Sequence, residues 1–203
     1  MDTALLIATA PEGTPADLVT WVAGVAELTE PDAIHWCDGS VAERDLLYEQ
    51  MVATGTLIRL DPERRPGCFL ARSAPSDVAL VEGRTFICSE HADDAGPTIN
   101  WADPTAMRHT LSGLFAGAMR GRTMYVIPFA MGPIGGELTR FGVEITDSLY
   151  VVANMWMMTL MGAAALAAIA SGEPWVPAVH SVGHPLVDAA GVRHPDGPWP
   201  CND

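Results

Sequence analysis

The stretch SLYVVANMWMMTLMGAAALAAIASG, Ser148 to Gly172, constrains the fold more than any other part of this chain. From Val151 to Ala170 it carries no charge, and Asn154 and Thr159 are its only clearly polar side chains. A bilayer span needs about 20 mostly apolar residues, so length alone admits a membrane helix. The flanks argue against it. Asp147 and Glu173 stand where a span carries Arg, Lys or an aromatic belt. The segment therefore reads as one long helix outside any membrane, buried against its own domain, a partner or a ligand.

Charge narrows the partners. The 25 acidic residues outnumber the 11 arginines, there is no lysine, and the net charge is −14. Nucleic acid needs cationic side chains to displace its counterions, and anionic lipid needs them too, so both are excluded as partners. With 49% hydrophobic residues, the 203-residue chain has enough apolar material for one domain with a real core. Its start, MDTALLIATAPEGTP, is acidic where a signal peptide is basic, which predicts a cytoplasmic protein. Cys37, Cys68, Cys88 and Cys201 are scattered without a C-x-x-C pair and read as free thiols.

Local signals alternate between helix and strand. Thr14 and Pro15 open a helix that ends near Glu30 and Pro31. Ala33–Cys37 reads as a strand. Ser40 and Glu43 form a capping-box pattern for a helix that Gly55 stops. TLIRL, CFLAR and RTFIC read as short strands, and Asp103 with Pro104 starts another helix. Thr123–Gly132 and Gly142–Thr146 read as strands joined by PIGGELTR, and a Pro- and Gly-rich tail follows from about Gly172. The expected class is mixed α/β, a mixed sheet flanked by helices, in one domain over residues 1–203.

Several runs are long enough to compare with known families: HWCDGS, LARSAPSDVALVEGRTFICSE, GPTINW, MRGRTMYVIPFAMGPIGGELTRFGVEITDSLYVVANMWMMTLMG and HSVGHPL. In order from about His35 to the C-terminus, they resemble the N-terminal domain of GTP-dependent phosphoenolpyruvate carboxykinase. That family interconverts oxaloacetate and phosphoenolpyruvate with GTP and two divalent metals. The resemblance places its nucleotide, metal and phosphoryl-transfer residues mostly beyond the end of this chain. There is also no G-x-x-x-x-G-K-[ST] loop here. Carboxykinase chemistry by this chain alone is therefore not expected, and neither metal nor cofactor is assigned.

Departures from the family pattern define the candidate site. Leu80 stands in DVAL where the family has arginine, and Trp156 and Leu160 replace two arginines in MWMMTLMG. Ala130 replaces the serine of PFSMGP, and His184 replaces the cysteine of SVGCP. On a helix, Trp156 and Leu160 would share a face. Two readings follow. Either the anion site has become an apolar pocket walled by Leu80, Trp156, Leu160 and Ala130, or the same face packs a homodimer. The polar candidates are Tyr125, Glu144 as a buried general base, and His184 for acid–base work. His180, four residues before His184, reads as structural, and Gly132–Gly136 is a weak candidate anion nest.

The leading expectation is a cofactor-independent isomerase, cyclase or lyase acting on a largely apolar small molecule, as a homodimer. Its alternatives are a non-catalytic metabolite- or partner-binding pseudoenzyme and an oxaloacetate-like acid decarboxylase.

Overall fold

The structure, a computed structural model, describes residues 9–72, 83, 85–183 and 185–192. Helix α1 (Ala16–Thr29) leads into β1 (Ala33–Trp36), α2 (Val41–Ala53) and the strands β2 (Leu57–Arg59) and β3 (Phe69–Ala71). Next come β4 (Phe86–Ile87), a 3-10 turn at Ala92–Ala95, β5 (Asn100–Trp101) and α3 (Pro104–Phe115). Then follow β6 (Thr123–Met131), β7 (Arg140–Thr146), α4 (Leu149–Met158), β8 (Leu160–Met161), α5 (Ala163–Ala170) and β9 (Trp175–Val179).

The main sheet is mixed, in the order β1-β6-β7-β9, with β8 also paired to β6. β1 is parallel to β6 and β9 to β7, while β7 and β8 run antiparallel to β6. β2 and β3 form a separate antiparallel hairpin, and β4 and β5 a short parallel pair.

Period-two alternation along β6 decides which helix each residue meets. Met124, Val126 and Ala130 join Phe141, Val143 and Ile145 of β7 in a core with Leu18 and Val22 of α1 and Leu166 and Ile169 of α5. Tyr125 and Ile127 face the other way, against Leu47 of α2 and Val152 and Met155 of α4. Val126, Ile127, Val143 and Ile145 have no exposed surface. Burying each such side chain contributes about 1.5–3 kcal/mol. The sheet is thus covered by helices on both faces.

Helix starts follow their side chains. Asp103 accepts from the Ala106 amide, Ser40 from Glu43 and Ser148 from Val151. At the first helix, Pro15 rather than Thr14 takes the cap position, and the Thr14 hydroxyl donates to the Pro11 carbonyl instead. Glu43 does not close a reciprocal capping box. Its carboxylate accepts from the Asp38 and Gly39 amides, while the Ser40 amide goes to Asp38 Oδ1.

The expected long helix is two short ones. α4 ends at Met158, residues 160–161 pair with β6, and α5 starts at Ala163. The break is held from outside. The Gly162 amide donates to the Pro128 carbonyl at 2.7 Å, and the Ala163 amide to the Asp38 carbonyl at 2.9 Å. Gly162 has φ 95°, and a Cβ there would overlap the Asp38 carbonyl. Gly39, at φ 73°, faces the Met161 carbonyl with the same lack of room. At about 1.5 Å rise per residue, neither the 10-residue nor the 8-residue helix approaches the bilayer's roughly 30 Å. Among the described residues, no helix is long and apolar enough to cross a membrane.

A buried polar knot ties the β7–α4 junction to the tail. The fully enclosed Asp147 carboxylate accepts from the Val182 amide at 2.8 Å and the Ser181 hydroxyl at 3.1 Å, with Arg122 Nε 3.6 Å away. Burial pushes its pKa up, against the pull of these donors and of Arg122. Thr146 Oγ1 and His180 Nδ1 are 2.9 Å apart, and burial lowers the His180 pKa. Near α1, Arg120 donates twice to Glu30, which closes the helix in the left-handed conformation at φ 54°.

Gly162 and Gly172 separate strain from space. Both have positive φ, but a Cβ at Gly172 meets nothing within 4 Å. Gly172→Ala is expected to cost about 1–2 kcal/mol through its backbone alone. Gly162→Ala adds an overlap with backbone and is expected to cost about 3 kcal/mol or more. Urea melts check this; equal losses would show that the 38–39 turn yields to a side chain.

Candidate functional site

α2 and α4 pack side by side, and β2 closes against α2. Between these helices and the β2–β3 hairpin lies a cleft of about 530 Å³, lined by Arg44, Tyr48, Arg59, Phe69, Trp156 and Met157 among others. Local geometry explains the gathering. Arg44 and Tyr48 are four apart on α2 and share its face. Arg59 and Phe69 are directly opposed in the hairpin. Trp156 projects from the last turn of α4, and its indole N–H donates to the Gly39 carbonyl at 3.2 Å.

Two guanidiniums of the cleft lining lie on aromatic faces. The Arg44 guanidinium carbon sits 4.6 Å from the centre of the Trp156 ring, and that of Arg59 4.9 Å from Phe69. Such contacts are worth about 0.5–2 kcal/mol, depending on desolvation. The Tyr48 ring meets Phe69 edge-on at 5.0 Å. Each cation already has an acid: Arg44 donates through Nε and Nη2 to Asp45, and Arg59 pairs with Glu49. Both carboxylates are more than half exposed, so a ligand anion can replace them at small cost.

Glu144 lies elsewhere, on β7 opposite Ile127 and Ala178. It is half-buried, and no hydrogen bond or ion pair to its side chain is found among the described residues. Burial raises its pKa. Tyr125 points to the same sheet face two register positions away, opposite Thr146. It is 7% exposed, and burial, helped by nearby Cys37, pushes its pKa up to about 12. That hydroxyl is suited to donate a hydrogen bond rather than to act as a base.

The sequence-predicted residues are therefore not gathered in one place. Trp156 lines the cleft, while Tyr125, Ala130, Glu144 and Leu160 do not. Leu160 is 53% exposed on β8, so it shares no helix face with Trp156. Ala130 has no exposed surface and faces away from Tyr125 into the core beneath α5, which removes it as a pocket wall. Leu80 and His184 lie outside the described residues. Near the GPIGG loop, a groove of about 390 Å³ is lined by Arg140 but also by Glu137 and Glu173, a poor electrostatic match for an anion nest. Arg44, Tyr48, Arg59 and Phe69 were missed. The i, i+4 spacing of Arg44 and Tyr48 and the adjacent TLIRL and CFLAR runs were the available signal.

With the geometry in hand, comparison with known proteins is decisive on ancestry. Residues 20–203 match the family described as phosphoenolpyruvate carboxykinase N-terminal domain. The chain belongs to that family. It is 54% identical over 187 residues to phosphoenolpyruvate carboxykinase (GTP) of Renibacterium salmoninarum, covering 92% of this chain and 30% of the relative. The same enzyme of Corynebacterium efficiens is 51% identical over 187 residues, with 92% and 30% covered. That of Paenarthrobacter aurescens is 55% identical over 190 residues, with 93% and 31% covered. The chain thus spans about 30% of the length of these relatives and corresponds to the N-terminal part of a carboxykinase, not to a full one.

Glu144 gives this carboxykinase-family domain a testable pH signature. Its folded-state pKa is raised, so its contribution to stability is present below the ordinary glutamate range and lost as pH rises through the folded value. Glu144→Gln is expected to match the parent in thermal melts at about pH 4 and to melt higher at about pH 7. A constant offset at both pH values would show that burial does not perturb this carboxyl.

Proposed function

We propose that this carboxykinase-family domain is a small-molecule binding domain whose cleft takes a flat, largely apolar molecule carrying a carboxylate. The carrying observation is the Arg44–Trp156 stack, fixed by the Gly39 carbonyl, in a cleft whose lining holds a second stacked guanidinium, that of Arg59. Aromatic walls favour a planar body, and Arg44 or Arg59 can exchange an exposed acid for the ligand's carboxylate. Phosphoryl transfer is not assigned to this portion, because it has no lysine and no phosphate-cradling loop.

Within the cleft, the described titratable groups are two paired arginines, their acids and Tyr48. This set supports binding and orientation more than turnover. One observation favours the catalytic alternative: Glu144 is a half-buried carboxylate with a raised pKa, the state expected of a general acid or base. An isomerase, cyclase or lyase built on it would work on the β7 face rather than in the cleft.

Intrinsic fluorescence titration with a panel of aromatic and polyene carboxylic acids, beside oxaloacetate and phosphoenolpyruvate, tests the binding reading. The apolar acids are expected to quench and to raise the melting temperature by mass action. Trp156→Ala is expected to weaken them at least about tenfold, the equivalent of about 1.4 kcal/mol. Preference for oxaloacetate, or indifference to Trp156, would overturn it. Turnover by the parent that disappears in Glu144→Gln would replace binding with catalysis. Sedimentation of the same variants distinguishes a ligand cleft from a self-association surface.

A further inference from the structure

The root of α2 gathers three metal-ligating side chains that the cleft does not use. His35 and Cys37 are two apart in extended chain at the end of β1 and so point to one side. Glu43, three residues beyond the Ser40 cap, reaches back to the same point. One donor atom from each lies within 4.8 Å of the other two, and His35 Nε2 is 2.7 Å from Glu43 Oε1. We propose that His35, Cys37 and Glu43 bind one zinc-class divalent cation, with solvent as the fourth ligand.

The donor set selects the ion. Imidazole, thiolate and carboxylate together suit zinc or cobalt, whereas magnesium and calcium prefer oxygen alone. Tetrahedral ligation at about 2.0–2.3 Å puts donor atoms about 3.3–3.6 Å apart. The His35–Glu43 contact therefore opens by about 0.6 Å and no other separation closes by more than about 1.3 Å, within the reach of side-chain rotation.

Enclosure and support also fit. Cys37 is 4% exposed and the Glu43 side chain 8%, which shields the ion, while the His35 side chain at 43% leaves an entry route. The second Glu43 oxygen accepts from the Gly39 amide at 2.8 Å, which orients the carboxylate, and the Tyr125 ring stands edge-on to His35 at 5.7 Å. Binding would release the Cys37 thiol proton as the sulfur–metal bond forms. The ion would tie β1 to α2 across the Asp38–Gly39 turn, whose carbonyl anchors Trp156. The site shares no residue with the cleft and stands independently of the proposed ligand.

Cobalt(II) titration of the full chain under reducing conditions tests this. The thiolate-to-cobalt charge-transfer band and the visible bands of tetrahedral cobalt are the readouts. Because Cys68 and Cys88 are exposed free thiols, the titration uses a Cys68→Ser, Cys88→Ser, Cys201→Ser background in which Cys37 is the only thiol. Saturation at one equivalent, displacement by zinc, and loss of the charge-transfer band in Cys37→Ser are expected. His35→Gln keeps the thiolate band but binds at least about tenfold more weakly. His35 is partly exposed, so this variant serves if Cys37→Ser fails to fold. No thiolate band in the Cys37-only background, or unchanged affinity in His35→Gln, would overturn the site.

Discussion

The close passage of the Asp38–Gly39 turn over Met161 and Gly162 is the contact on which the rest of this structure depends. Two backbone segments meet there with no room for a Cβ at Gly39 or Gly162. Three amide donations fix the crossing: Gly162 to Pro128, Ala163 to Asp38, and Cys37 to Val126. An apolar run long enough for one helix is thereby cut into α4, β8 and α5, and the two helices go to opposite faces of the sheet. α5 covers the core beneath Ala130, while α4 covers Ile127 and delivers Trp156 to α2. Had the helix continued through Gly162, one face would have lost its cover. The Gly39 carbonyl that holds the indole would also have lost its partner.

Much of the rest was legible because short-range chemistry sets it. Ser40, Asp103 and Ser148 cap helices where their hydroxyl or carboxylate can reach an amide two or three residues ahead, and tertiary context does not compete with that. The family was legible from long, ordered motifs. The break at 160–162 was not, because a uniformly apolar run carries no polar phase from which to tell one long helix from two short ones. Gly162 was the single local clue, and its meaning depends on Asp38, more than a hundred residues earlier. Ala130 is a different case. It lies five residues from Tyr125 on one strand, and an odd separation on a strand means opposite faces. That parity was present in TMYVIPFAM, and placing both residues around one pocket ignored it.

Site residues were harder to see because the chemistry is assembled from elements that sequence order keeps apart. Arg44, Arg59 and Trp156 come from α2, the hairpin and α4, and each looks ordinary alone. Their common feature is stacking, which leaves no sequence motif. The acid-rich composition also hides them: in a chain at −14, any arginine has acids at hand with which to pair and hold the fold. Arg120 and Arg122 do pair with Glu30 and Asp147 in that way. Arg44 and Arg59 differ because their planar faces are already committed to rings.

That difference bears on which anion the proposed cleft would prefer. A small, highly charged anion gains most from unpaired guanidiniums converging on one point and little from aromatic surface. Here the two cations sit on separate rings, each compensated, in a strongly acidic chain. Displacing both Asp45 and Glu49 to hold a phosphate or a dicarboxylate would leave two carboxylates unpaired beside the bound anion, and that repulsion opposes binding. Displacing one, for a single carboxylate on a flat apolar body, leaves the other pair intact and adds stacking against Trp156 or Phe69. The Arg44–Trp156 stack and the exposed acids already paired with Arg44 and Arg59 thus act in one direction. In the proposed cleft, selectivity would rest on shape more than on charge number.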